Sequence, residues 1–136
     1  MSQDDAQNYL DEMVRARGYV LEYHKLLVGA DLEFAKAMNA IVSAAYLQER
    51  RLDQRTKELC FITSLVALRA PKKHIQGHIH VALELGLTKE EILEAIEMVV
   101  PEAGVVAFQE GFEAWAEAVG VEPLQPRVSV AGSREQ

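Results

Sequence analysis

The chain has 136 residues, 49% hydrophobic and 26% charged, with a net charge of −7. That length fits one domain around one core, and with no Lys/Arg run longer than two residues a nucleic-acid surface is not expected. Its single cysteine, Cys60, excludes an internal disulfide framework, a Cys-rich zinc site and intramolecular dithiol chemistry.

The first residues, MSQDDAQNYLDEM, are acidic where a secretory signal is basic. No apolar run approaches the roughly 20 residues of a membrane span. The expected location is the cytoplasm, with no membrane partner. Apolar residues recur at three- and four-residue spacing, which predicts helices throughout. A first helix is expected from about Asp5 to Leu27, ended at Gly29, with Gly18 the residue able to interrupt it. Asp31 is a good N-cap for a second helix with Met38, Ile41, Val42 and Ala45 on one face. Asp53 opens a third, expected to stop near Ala70 because Pro71 follows. Pro71 suits the first turn of a fourth, closed by Gly86. Thr88-Lys89-Glu90-Glu91 is a capping box for a fifth, ended by Pro101, and a sixth runs from about Gly104 to Val119. The prediction is an all-α six-helix bundle over residues 1–120, with a flexible tail over residues 121–136.

Helical geometry sorts the polar residues. In the third helix Glu58 falls in the most apolar arc, among Phe61, Ile62, Leu65 and Val66. Cys60 falls opposite, among Thr56, Thr63, Ser64 and Ala67, so both sides of this helix are expected to be covered. A carboxylate on an apolar arc is costly unless partnered, which leaves two readings of Glu58: a structural group paired with an Arg or a backbone end, or a proton donor or acceptor at a pocket edge. In the fourth helix His74 and His78 share the inward stripe, one turn apart, while His80 faces outward with Lys73 and Glu84. His24 has no partner in view. Two inward histidines after a buried Glu favour acid–base chemistry. An i, i+4 His pair also suits a divalent metal, but H-E-x-x-H is missing and Glu58 is the only third ligand in sight, so no metal is expected. Met98, Val99, Phe108, Phe112 and Trp115 are expected to be core.

The stretch LDQRTKELCFITSLVAL, His78, and then ALELGLTKEEILEAIEMVVPEAG resembles the carboxymuconolactone decarboxylase family, which includes the alkylhydroperoxidase D-like proteins. The likeness spans residues 52–118 and rests on a combination: R-T-x-E-L at Arg55–Leu59, a His on the next helix, Gly86 eight residues on, G-x-T-x-E-E-I and Gly104. The resemblance implies the alkylhydroperoxidase D-like all-α fold, with subunits intertwined in a homo-oligomer, trimer or hexamer. It also implies a pocket into which Glu58 and His78 point near a subunit contact.

Three departures place the chain within that family. The redox branch carries C-x-x-C seven and four residues before the His, where this chain has Pro71 and His74. The decarboxylase branch commonly has a Tyr two before the later Gly, where this chain has Glu102, and the Glu58–His78 spacing is about one residue longer than usual. The expected activity is thus a cofactor-independent decarboxylase or lyase acting on a small carboxylated lactone or related aromatic-catabolic acid. His78 is assigned as proton donor, Glu58 as its orienting or acidic partner, and His74 and Arg69 as substrate-binding residues, with Arg69 on the Glu58 face. The alternatives are a catalytically silent oligomeric binding protein of the same fold, and a peroxidase relying on Cys60 alone.

Overall fold

A computed structural model describes residues 2–128 of the chain. The described residues form helices and connecting turns with no strand. Helix α1 spans Gln3–Arg17, α2 Glu22–Ala30 and α3 Leu32–Val42, which runs directly into a π turn at Ser43–Leu47. Then come α4 (Gln54–Ala67), α5 (Lys72–Glu84), α6 (Lys89–Glu97), the short α7 (Val100–Ala103) and α8 (Val105–Val119).

Several of these ends follow from local chemistry. Asp31 caps α3 through Phe34 N at 3.1 Å, and Asp53 caps α4 through Thr56 N at 2.7 Å. Thr88 and Glu91 exchange reciprocal backbone bonds at 3.0 Å each, the expected capping box of α6. Elsewhere the expected boundaries need correction. The predicted first helix is two helices, because Gly18 adopts a left-handed conformation (φ +83°) and closes α1 with its N–H on Val14 O. Helix α4 ends at Ala67 rather than near Ala70, and Arg69 follows in a left-handed conformation (φ 56°). Pro101 does not end α6, which stops at Glu97; it lies in the first turn of α7, where its missing N–H costs nothing. Residues 121–128, in the predicted tail, are exposed and irregular; its remainder lies outside the described residues.

Helices α4 to α8 enclose the larger core. Ile62 and Val66 of α4, Ile75 and Ile79 of α5, and Ile92 and Ile96 of α6 are all buried there. Trp115 of α8 joins it and donates Nε1–H to Lys89 O at 2.9 Å, fastening α8 to the start of α6. Helices α4 and α8 approach so closely at Gly111 that a Cβ placed there would lie 2.5 Å from Val66 Cγ1. A smaller core of Met13, Val28, Leu32 and Ala35 holds α1, α2 and α3 together. The π turn and Tyr19 connect this N-terminal unit to α4 and α5.

One expectation about packing is not met within a single chain and another is overturned. The Cys60 side of α4 is not covered within the chain: Cys60, Ser64, Ala67 and Leu68 are exposed, because α5, α6 and α8 pack on the other sides. Met98 is also exposed rather than core, since it caps the end of α6. No helix among the described residues is long and apolar enough to cross a membrane.

Candidate active site

The centre of the site is a carboxylate with no solvent exposure. Glu58 sits on the α4 face that packs against α5, and His78 stands opposite it on α5. Nδ1 of His78 lies 2.6 Å from Glu58 Oε1, and the Tyr46 hydroxyl donates to Glu58 Oε2. Each carboxylate oxygen therefore has its own donor, which is what allows a charged group to persist in a dry interior. The bond through Nδ1 leaves Nε2 of His78 as the nitrogen available for proton exchange.

Aromatic rings surround that imidazole. Phe61, one turn on from Glu58, stacks on His78 with ring centres 4.4 Å apart and planes at 22°. Tyr46 and Tyr19 meet it edge-on, each at 6.0 Å. His74 is half-buried one turn back, its ring centre 5.4 Å from that of His78. Burial, and then the proximity of His78, holds the His74 imidazole below its ordinary pKa. Burial also raises the Tyr46 phenol well above its ordinary value, reinforced by the bond to Glu58; Tyr19 is raised by burial and by the Glu58 charge. Both tyrosines are neutral hydrogen-bond donors at ordinary pH.

Tyr46 lies between two openings. On one side is a cleft of about 720 Å³ lined by Arg17, Tyr19, Gln54 and Gly77 among others. On the other is an apolar groove of about 430 Å³ that includes Leu52, Cys60, Phe61 and Leu68. The tyrosine reaches this place because the π turn widens the backbone where α3 ends. Such turns often accompany functional sites.

The sequence-derived residues thus separate. Glu58, His74 and His78 come together; Arg69 does not. Two residues past the end of α4 it has left the helical register that placed it on the Glu58 face, and it is exposed with no ion pair to Glu58 among the described residues. His80 is exposed, as its position on the wheel requires, and borders the larger cleft. Among the described residues no three His, Cys, Asp or Glu side chains converge as a metal-ligand set. Cys60 lies in the apolar groove, on the side of α4 away from Glu58. Sequence reasoning misses Tyr46, Tyr19 and the stacking role of Phe61. A buried tyrosine next to an irregular helix end has no periodic signal.

A helical bundle with a buried Glu–His pair between two of its helices defines the class of protein. Residues 33–117, more than half of the chain, match the model of the carboxymuconolactone decarboxylase family. The chain belongs to that family. Comparison with curated proteins gives no match.

Proposed function

We propose that the protein is a cofactor-independent lyase of the decarboxylase type, acting on a small carboxylated lactone or a related unsaturated acid. The observation supporting this most directly is the buried Glu58–His78 pair, 2.6 Å apart and roofed by neutral tyrosines. Loss of CO₂ breaks one carbon–carbon bond and leaves its electron pair delocalised into the substrate's own carbonyl as a dienolate. His78, protonated, delivers the Nε2 proton to carbon, and solvent returns one to the imidazole afterwards. Glu58 fixes the ring through Nδ1–H and balances its positive charge before transfer. Tyr46 is a positioning residue, holding Glu58 by its second oxygen. Neutral His74 faces the substrate beside His78.

The exposed face of α4 supports a further part of this reading, a homo-oligomer. Leu52 and Leu68 are 55% and 80% exposed and line one groove with the small residues Cys60 and Ser64. A second copy packed there would cover the groove that reaches Phe61 and Tyr46. Sedimentation of a Ser64→Arg variant checks this: a fall to the monomer mass is expected.

The test of the activity is His78→Gln assayed with 4-carboxymuconolactone and related carboxylated lactones, following CO₂ release. Wild-type turnover should fall about 10²- to 10⁴-fold, the usual contribution of a positioned acid–base group, with the circular dichroism spectrum unchanged. Near-normal turnover in that variant rejects the assignment.

A further inference from the structure

Arg17 is a cation without a counter-ion. It stands at the end of α1, half-buried, and no carboxylate pairs with it among the described residues. The chain has 21 acidic residues against 14 basic ones, so acids are not scarce. One Arg17 amino group donates to Asn39 Oδ1, whose own amide donates to the Tyr9 hydroxyl at 2.8 Å. The guanidinium Nε–H is buried with no acceptor at all. An unmet N–H on a buried charged group is costly, and such cases call for an explanation.

His24 adds a second, independent observation. The backbone N–H of Leu21 donates to His24 Nδ1 at 2.9 Å, so Nδ1 carries the lone pair and the neutral ring's proton is on Nε2. That Nε2–H faces an Arg17 amino group at 3.2 Å. Arginine has no acceptor. Two donors are therefore brought together with nothing between them to accept, and the ring is held neutral there: burial, Arg17 and His74 push it down to about 4. Donors arranged in this way are complementary to an anion.

The position of Arg17 connects this arrangement to the Glu58–His78 pair. The cavity shared with His24 and Asn39 is only about 10 Å³, too small for more than a single oxygen-sized group. Arg17 also lines the cleft of about 720 Å³ together with Tyr19 and Tyr46, the two rings in edge contact with His78. We propose that Arg17, with the Nε2–H of His24 beside it, anchors a carboxylate of the small molecule bound in that cleft. The inference rests on the activity proposed above and gives it a specificity residue. It also assigns a function to the segment ahead of the family match, which begins at residue 33.

The probes are cis,cis-muconate, an unsaturated dicarboxylate, its dimethyl ester, and sulfate, titrated calorimetrically into wild-type protein, Arg17→Met and Arg17→Lys. Loss of a charge-assisted bond to the ligand should weaken muconate binding about 10- to 100-fold in Arg17→Met, with Arg17→Lys between that variant and wild type. The ester should bind no better to wild type than to Arg17→Met. In parallel, the Arg17 Nε–H resonance of ¹⁵N-labelled wild-type protein should shift on addition of muconate and not of the ester, a readout that does not depend on a variant folding. Equal muconate affinity in wild type and both variants, no measurable muconate binding to wild type, or sulfate binding as tightly as muconate overturns the proposal. Wild-type turnover of the carboxylated lactones separates the two ideas: no CO₂ release by wild type removes the decarboxylase reading while Arg17-dependent muconate binding stands, and CO₂ release with Arg17-independent muconate binding does the reverse.

Discussion

His78 Nδ1 and Glu58 Oε1 meet at 2.6 Å across the α4–α5 contact, with 2% and 0% of the two residues exposed. A pair this dry is a structural commitment as well as a chemical one. Removing one member strands the other in a medium that cannot solvate it. Glu58→Ala should therefore lower unfolding stability by about 3–5 kcal/mol, seen as a lower denaturant midpoint with little change in slope. Glu58→Gln keeps groups able to bond Tyr46 and His78 and should lose less. Equal losses in the two variants would show that charge, and not hydrogen bonding, dominates the site.

The Tyr46 hydroxyl is the third member of the arrangement, and its raised pKa has a definite sign. The folded state keeps the phenol protonated above pH 10, where the unfolded chain releases its proton. Its contribution to stability is thus complete below that pH and is lost as the pH rises further. Tyr46→Phe should cost about 1–2 kcal/mol at neutral pH, the effect of losing one donor to a charged group. It should also remove part of the alkaline loss of stability seen in wild type. Urea unfolding at pH 8 and above pH 10 measures both effects.

His24 gives the opposite dependence. Its imidazole is pushed down to about 4 in the folded protein, from an ordinary value of 6.5. Below pH 6.5 the unfolded chain takes up a proton that the native state refuses, so this contribution is present above that pH and is lost as the pH falls towards 4. A His24→Gln variant should show a flatter stability profile between those values than wild type. Parallel profiles would mean that the ring takes up its proton in the native protein as readily as in the unfolded chain, contrary to its contacts with Leu21 N–H and Arg17.

What the sequence discloses about this site depends on whether the backbone stays in regular α geometry. Glu58 and His78 lie in the middle of α4 and α5, where three- and four-residue spacing translates directly into a shared face. The same rule puts Arg69 on that face, but the helix ends at Ala67 and the rule ends with it. Tyr46 is hidden for a related reason: five residues in a π turn shift the register, so no wheel drawn through α3 predicts its direction. Arg17 and His24 become neighbours only because Gly18 breaks the chain between them, a consequence of one glycine that periodicity does not capture. The Cys60 face carries yet another limit. A row of small residues signals close approach, and the sequence does not say whether the approaching element belongs to the same chain.

Close approach is verifiable where it occurs within the chain, at Gly111 and Val66. A methyl group at Gly111 would stand 2.5 Å from one Val66 methyl and 2.6 Å from the other, distances that real carbons do not tolerate. Val66 is fully buried and cannot swing aside, so α8 must move away from α4 or the valine must leave its rotamer. Gly111→Ala should cost about 1–3 kcal/mol in spite of alanine's better helix propensity. The double variant with Val66→Ala distinguishes this steric cause from a general intolerance of α8. If the clash is the cause, Gly111→Ala should be nearly neutral, or stabilising, in the Val66→Ala background, because the added methyl then occupies the space that Val66 vacates. Additive losses in the two single variants, measured by thermal unfolding, would separate the residues and move the cause elsewhere in α8. The result bears on the site as well, since Val66 lies two turns from Glu58 on the same helix, and a displaced α4 would lengthen the Glu58–His78 bond along with it.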